Sequence, residues 1–334
     1  MKKFLAPSST VDEMSAPHPF LRNDYLILTR PIERVIKSLV RWLQLNVPGA
    51  IVFGQRRLGK SHCAEFIRKY LSDLLGYKIA VVLMCVRFHD SYRENDFLDE
   101  MMAVLGDPAP ARSGKERRLK AIVNRLLVLA RRCPYKKVIL VLDDAQRLQQ
   151  MHFEVLMTLQ NELYMQYRVM LFTLMVGQPQ LKTKRDLLIA SGEKQITARM
   201  MADEIEFVGQ RSLEEVQFAL NRIDKHCFYP ARSGVTFTQG LAPEAWAANW
   251  RLGNEAEAVW TAYTSRREEM KLSPAEEISM EALTKMASYI FQNYANRPEF
   301  TGLTSEQATD VVDSAGMLQL EALGHGGDAD GSDD

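Results

Sequence analysis

The stretch that decides the fold is GAIVFGQRRLGKSHCAEF, residues 49–66. It opens with a short apolar run typical of a buried strand, continues through the motif G-x-x-x-x-G-K-S, and then takes the pattern of a helix. The glycines of such a loop let successive backbone N–H groups and the helix N-terminus face phosphate groups. The sequence therefore predicts a phosphate-binding loop between a strand and a helix.

Each position of this loop is a candidate nucleotide-binding residue. Lys60 supplies a point charge to the outer phosphates, and the Ser61 hydroxyl is a candidate Mg²⁺ ligand. The competing interpretation is a glycine turn that matches the motif by chance, and the flanking strand and helix argue against it. The candidate residues are Gly54, Gln55, Arg56, Arg57, Leu58, Gly59, Lys60, Ser61 and His62.

A second motif follows the apolar run Ile139–Leu142, which predicts a buried strand ending in Asp143 and Asp144. Parallel α/β sheets place ligands at the C-terminal ends of their strands. We expect Asp143 to contact Mg²⁺ and Asp144 to orient or deprotonate the attacking water. An acidic surface turn is the alternative, and the partnership with the phosphate loop disfavours it. Because aspartate is shorter than the glutamate common at this position, we expect slow hydrolysis.

Two polar residues further along the chain extend the candidate catalytic set. Gln178, just after the next predicted strand, is a candidate contact to the γ-phosphate or to the attacking water, and equally an ordinary loop residue. Arg199 precedes the predicted strand 204–207. It is either an arginine finger that reaches the nucleotide of a neighbouring subunit or a surface helix arginine.

Strand and helix patterns alternate from residue 31 to about 210, which predicts an α/β fold with a parallel sheet flanked by helices. Helical patterns then dominate from 211 to 320, with capping-box spacings at Ser212–Glu215 and Thr304–Gln307. We interpret residues 1–30 as an N-terminal arm and 321–334 as a disordered acidic tail. The predicted helices are 31–47, 62–75, 153–167, 212–226, 255–270 and 274–294, and the predicted strands are 49–54, 79–85, 136–142, 169–176 and 204–207.

The net charge is zero, but its distribution is uneven. Five acids follow position 320 without a Lys or Arg, whereas residues 111–137 are strongly basic. This basic segment is either a solvated helix face or a set of phosphate contacts. The candidate DNA-binding residues are Arg87, Arg93, Lys115, Arg118, Arg125, Lys182 and Lys184.

The composition indicates the cellular compartment of the protein. The four cysteines show neither C-x-x-C pairs nor zinc-ligand spacing, which favours a reducing compartment. Apolar runs stay well short of the roughly 18 residues that a membrane span needs. We therefore expect a cytoplasmic protein that makes no use of a membrane.

Taken together, these motifs resemble those of the AAA+ ATPases that regulate DNA transposition, the TnsC/TniB family. The resemblance covers roughly residues 15–225. It rests on Pro17-His18-Pro19, GQRRLGKS, the strand ending in DDAQ, VGQPQL, and the TARM segment that holds Arg199.

The resemblance implies an AAA+ domain over 31–210 followed by a small helical C-terminal lid. It implies that ATP with Mg²⁺ binds at a subunit interface, held by Lys60, Ser61 and Asp143, and that Asp144 governs hydrolysis. Arg199 would complete the site of the neighbouring subunit. The implied partners are double-stranded DNA, a homo-oligomer in the form of a ring or filament, a transposase, and a target-selector protein of the TniQ type.

Three other classes share the phosphate loop. A helicase loader of the IstB or DnaC kind has the same fold and is the main alternative function. A small-molecule P-loop kinase would need an acceptor site and an arginine-rich lid, which the sequence does not show. A signalling ATPase would need a long region after the lid. We rank transposition regulator, loader and kinase in that order.

Overall fold

The structure is a computed structural model. The structure describes residues 18–88, 94–106, 114–272 and 277–326, and of residues 323–326 it describes only the backbone.

Contacts within the chain separate two units. Within the described residues, the sheet unit comprises Glu33–Arg56 and Lys60–Phe207, and the helical unit comprises the residues up to Ile32, Arg57–Gly59 and those from Val208 onward. Each unit buries its own apolar core, as expected for two compact parts of one chain.

Five parallel strands form the sheet in the order β2-β3-β4-β1-β5. The interior strands are almost wholly buried, which explains why they are continuous apolar runs rather than alternating patterns. The predicted α/β fold with a parallel sheet is confirmed. The strands are β1 (Gly49–Phe53), β2 (Ala80–Cys85), β3 (Lys137–Asp143), β4 (Met170–Gly177) and β5 (Asp203–Glu206).

Helices flank this sheet. The first helix is anchored by Trp42, which is 1% exposed, stacks on Phe172 and donates from Nε1 to Asp203 Oδ2 at 2.7 Å. A short 3-10 turn, Ala145–Arg147, follows β3. The helices are α1 (Arg30–Gln44), α2 (Lys60–Leu75), α3 (Glu94–Val104), α4 (Lys115–Ala130), α5 (Gln150–Tyr167), α6 (Pro179–Ala190) and α7 (Lys194–Met200).

Three adjacent strands deliver the predicted site residues to one edge of the sheet. β1 leads into the phosphate loop, β3 ends at Asp143, and β4 leads into Gln178. The register pairs Phe53 of β1 with Gly177 of β4, and β4 also pairs with β3. Because parallel strands end at the same edge, the three segments lie side by side.

The helical unit contains seven helices within its described residues. The helix predicted over 274–294 begins later, at Met280, because Ile278 instead forms an antiparallel bridge with Gln210. After Ile290 it continues as a π-helical turn, Phe291–Ala295. The helices are α8 (Leu213–His226), α9 (Phe237–Leu241), α10 (Pro243–Ala247), α11 (Ala256–Glu269), α12 (Met280–Ile290), α13 (Ser305–Ser314) and α14 (Met317–Gly326).

The two predicted capping boxes differ in detail. At the start of α13, Thr304 and Gln307 make both reciprocal bonds. At the start of α8, Ser212 Oγ accepts from Glu215 N at 3.3 Å, but the Glu215 carboxylate accepts from Arg211 N. The second bond therefore reaches one residue further back than a capping box requires.

Buried aromatic and acidic side chains organise the helical unit. Phe20, in the segment before α1, packs against Phe237 and Phe291 in its core. Asp224 is 1% exposed and accepts hydrogen bonds from Thr238 Oγ1 and two backbone N–H groups. These bonds satisfy a carboxylate that would otherwise be costly to bury. Among the described residues, no helix is long and apolar enough to cross a membrane.

Candidate nucleotide site

The loop between β1 and α2 owes its shape to close packing and to left-handed backbone angles. Arg57 and Gly59 have φ of 66° and 108°. Gly54 is buried, and a Cβ at this position would lie 2.1 Å from the carbonyl oxygen of Phe207. A residue with a side chain does not fit there, so the glycine lets the end of β1 lie close to the backbone of Phe207.

Lys60 is the first residue of α2 and is only 9% exposed. Its Nζ donates to the carbonyl oxygens of Gly54 at 2.8 Å and Gln55 at 2.5 Å. Burial lowers the pKa of Lys60, while the negative charges of Asp143 and Asp144 oppose that shift. A buried ammonium group is stabilised most by an anionic partner, so phosphate oxygens would bind here favourably.

The two carboxylates at the end of β3 differ in backbone conformation. Asp143 closes the strand, and its Oδ1 accepts the backbone N–H of Asp144 at 3.0 Å. Asp144 has φ 55° and ψ 34°, a left-handed conformation that aspartate tolerates better than most residues. This turn directs the Asp144 side chain differently from that of the strand residue before it.

These residues fit Mg²⁺ bound together with a nucleotide. Magnesium is usually held by one or two protein oxygens plus substrate phosphates and waters. Ser61, exposed in the first turn of α2, and the half-buried Asp143 supply such oxygens beside the Lys60 charge. In the described part of the chain, no cluster of three His, Cys, Asp or Glu side chains is arranged to hold a metal by itself.

Gln178 lies next to the phosphate loop. Arg56 Nε donates to its side-chain oxygen at 2.8 Å, and its backbone N–H donates to Gln146 Oε1 at 3.1 Å. Gln146 in turn donates from Nε2 to Asp144 Oδ1 at 3.1 Å. Sequence reasoning missed Gln146, although it is the last residue of the DDAQ motif.

Two more side chains surround Asp144. Arg147 Nη1 lies 3.3 Å from Asp144 Oδ2 and donates to Val86 O at 2.9 Å. The exposed Cys85, at the end of β2, has its Sγ 3.9 Å from Asp144 Oδ2. Strand pairing places Cys85 beside Asp143, and the spacing of these residues in the sequence gives no sign of it.

Arg199 lies away from this edge. Its backbone lies beside Gly49, the first residue of β1: a Cβ on Gly49 would be 2.6 Å from the Arg199 backbone oxygen. The phosphate loop instead follows the last residue of β1. The two ends of a five-residue strand are about 13 Å apart, at roughly 3.3 Å per residue. The Arg199 guanidinium contacts the Asn161 side chain on α5.

Most candidate DNA-binding residues contact other parts of the sheet unit. Arg118 makes two bonds to Asp99, at 2.6 and 3.1 Å. Arg125 Nε donates to Leu105 O at 2.9 Å. The remaining members are placed as follows: Lys115 pairs with Glu94, Lys182 with Glu204 and Asp186, Lys184 bonds Gln146 O and Leu148 O, Arg87 is exposed, and Arg93 lies outside the described residues.

Comparison with known proteins finds a family match within the sheet unit. The AAA domain family matches residues 49–185. No curated protein matches the sequence. The structure is similar to the ORC2 protein of Aeropyrum pernix, solved as ADPNP and ADP complexes, with 14% identity, TM-score 0.47, and coverage of 89% of this chain and 71% of that one.

Two further solved structures are similar at the same level. The ORC1 protein of Aeropyrum pernix in complex with DNA has 14% identity and TM-score 0.43, covering 90% of this chain and 86% of its own. A Walker-type ATPase of Pyrococcus abyssi has 12% identity and TM-score 0.45, covering 92% and 77%. Similarity this distant carries no argument about function. Residues 49–185 match the AAA domain family, and the chain has the AAA+ P-loop fold with a helical C-terminal region.

Proposed function

We propose that this protein binds ATP with Mg²⁺ and hydrolyses it. The observation that carries the proposal is the buried Lys60 ammonium group, which donates to the loop carbonyls of Gly54 and Gln55 and lies in the field of Asp143 and Asp144. In this proposal Lys60 binds the outer phosphates, and Ser61 and Asp143 hold Mg²⁺. The metal supplies charge neutralisation and orientation of the phosphates.

Hydrolysis requires a positioned water. We assign Asp144 to that role, because its carboxylate is fixed at both oxygens by Gln146 and Arg147. Gln178 contacts the γ-phosphate or the same water. The short aspartate side chain supports slow rather than fast turnover, which suits a protein whose nucleotide acts as a timer.

The position of Arg199 supports a proposed oligomer. Because this side chain is at the opposite end of β1 from the loop of its own subunit, it serves as an arginine finger only for a neighbour. The nucleotide would then lie at a subunit interface, and ATP binding would promote a ring or filament.

The finer function rests on the resemblance to TnsC and TniB proteins. We propose that the oligomer assembles on double-stranded DNA in the cytoplasm and links a target selector of the TniQ type to a transposase. Residues 211–320 would be its lid, 1–30 an arm and 321–334 an acidic tail. ATP hydrolysis would release the assembly from DNA.

The DNA contacts are best assigned to the exposed side of α4. Arg118 is buried against Asp99, and the exposed Arg125 donates to Leu105 O. Arg117, Lys120 and Arg131 are also exposed. These three residues lie on one helix face at spacings of three or four residues and their multiples. Their charges match the phosphate backbone of a duplex.

Electron microscopy of the purified chain tests the proposal, with a non-hydrolysable ATP analogue and with or without duplex DNA. Rings or filaments that need both ligands are expected. Monomers under all conditions would contradict the transposition function, and binding restricted to single strands would indicate a helicase loader instead.

A further inference from the structure

Gln146 uses both ends of its side-chain amide. Nε2 donates to Asp144 Oδ1, and Oε1 accepts the backbone N–H of Gln178, each at 3.1 Å. The two partners fix the direction of the amide, because the reverse orientation would set its oxygen against a carboxylate and its N–H against another N–H. The side chain therefore connects Asp144 to the segment that follows β4.

The Asp144 carboxylate is held from its other side as well. Arg147 Nη1 lies 3.3 Å from Oδ2, and the same nitrogen donates to Val86 O at the end of β2. Because one carboxylate oxygen of Asp144 contacts Gln146 and the other contacts Arg147, the plane of the carboxylate is fixed. Its orientation therefore depends on where these two side chains are held.

The surrounding backbone makes room for the Gln146 amide. A Cβ on Gly177 would lie 2.6 Å from Gln146 Oε1 and 3.3 Å from its backbone nitrogen. Lys184 Nζ donates to the Gln146 backbone oxygen at 2.7 Å and fixes the turn from α6. The absence of a side chain at position 177 therefore permits the bond between Gln146 and Gln178.

The connection continues into the phosphate loop, because Arg56 Nε donates to Gln178 Oε1 at 2.8 Å. An unbroken series of contacts thus runs from Arg56 through Gln178 and Gln146 to Asp144. One end belongs to the loop that surrounds the phosphates, and the other is the group assigned to the attacking water.

We propose that Gln146 is a positioning residue that couples the position of Gln178 to the orientation of the Asp144 carboxylate. The inference rests on the proposed ATPase function. Gln146 acts through Asp144, so its loss leaves nucleotide binding intact and slows the chemical step. If Gln146 had a purely structural role, it would only hold the 3-10 turn after β3 against the segment after β4. Hydrolysis would then be unaffected as long as that contact remained.

Two variants of the full chain separate these roles. Gln146→Met keeps the length of the side chain and removes both bonds. Gln146→Glu keeps an acceptor for the Gln178 N–H but sets a second carboxylate against Asp144. At pH 8, we expect both variants to keep ATP affinity and KM within about twofold while kcat falls about tenfold, as for a misplaced catalytic group.

Gly177→Ala provides an independent route, because the added methyl group displaces the same amide. We expect a similar kcat loss, and the double variant Gln146→Met/Gly177→Ala should be no slower than the poorer single variant. Gln150→Met, the same exchange at an exposed position of α5, is the control and should match the wild type.

The results distinguish the two levels of inference. If the wild type hydrolyses ATP no faster than Lys60→Ala, the proposed function fails and this inference fails with it. If the wild type is active and Gln146→Glu turns over at the wild-type rate, only the positioning role is overturned. The positioning role would also be overturned if both Gln146 variants lost ATP affinity by as large a factor as kcat.

Discussion

Asp144 has a left-handed backbone conformation, with φ 55°. Asparagine accepts this conformation as readily as aspartate and has nearly the same volume. Asp144→Asn should therefore leave the fold and ATP affinity unchanged, within about twofold, while removing the charge that activates water. We expect single-turnover phosphate release to slow by about 100-fold or more, the usual contribution of a general base.

The control for this substitution is Lys60→Ala, which removes the phosphate-binding charge and should abolish nucleotide binding as well as hydrolysis. Asp144→Asn with wild-type turnover would show that another group activates the water. A loss of ATP binding in Asp144→Asn would place the residue in the binding site rather than in the chemical step.

For individual residues, the sequence predicted which side chains belong to the site better than it predicted their contacts. The motifs identified Lys60, Asp143 and Asp144 because their spacing along the chain is constrained by the phosphate loop and by one strand. The bond between Gln146 and Gln178 depends on the pairing of β3 with β4, which brings together residues distant in sequence. Local periodicity contains no information about that pairing.

Among the elements, α7 presents Arg199 toward Asn161 on α5. If the guanidinium acts on the site of a neighbouring subunit, Arg199→Ala should lower the ATPase rate of the assembled protein by about 10³-fold. Binding of a fluorescent ATP analogue by isolated subunits should not change. Lys194→Ala, an exposed residue on the same helix, is the matched control. Unchanged turnover in Arg199→Ala would refute the finger assignment.

The charge pattern of α4 did not predict the partners of its arginines. Arg118 and Arg125 belong to the basic segment 111–137, for which the sequence leaves open a solvated helix face or a set of phosphate contacts. In the structure this face turns toward the α3 region, where Arg118 binds Asp99 and Arg125 binds Leu105 O. The sequence predicted the helix, but the partners of its arginines come from the packing of α3 on α4.

A charge-reversal experiment tests the exposed side of α4. The double variant Arg117→Glu/Lys120→Glu should weaken duplex binding and reduce the salt dependence of log K by about two phosphate contacts. Lys37→Glu, at an exposed position of α1, is the control. Fluorescence anisotropy over a range of salt concentrations measures both quantities. An unchanged slope would exclude this face as the site of DNA contact.

For the molecule as a whole, the helical unit links stability to pH through His18. Its ring packs against Tyr229 and Phe237, and its Nδ1 accepts the N–H of Phe20 at 3.2 Å. Burial lowers the pKa of His18 to about 4 from its ordinary 6.5. Since the unfolded chain takes up this proton first, stability is full above pH 6.5 and is lost as pH falls toward 4.

His18→Asn retains an acceptor for Phe20 N–H but does not titrate. We expect the melting temperature of the wild type to fall between pH 7 and pH 5, and that of the variant to fall less. Tryptophan fluorescence reports mainly the helical unit, because that unit holds three of the four tryptophans, Trp246, Trp250 and Trp260. Parallel pH profiles for both proteins would contradict the role of His18.

The two units also differ in how far the sequence predicted them. In the sheet unit, buried strands and flanking helices follow directly from apolar runs and periodicity. In the helical unit, Asp224 and Glu255 hold loops through buried carboxylates: Glu255 accepts from Trp250 Nε1 at 2.5 Å and from Leu303 N at 3.0 Å. In the sequence these acids look like ordinary surface residues, because only the folded chain brings their donors together.

The exposure of Cys85 has a practical consequence. The other three cysteines, Cys63, Cys133 and Cys227, are buried. A maleimide dye added to the unmodified protein would therefore attach at a single place, beside the Asp144 carboxylate. The wild-type chain can therefore be labelled at one site without any engineered residue. The fluorescence intensity of that dye would report nucleotide binding, turnover and release in real time.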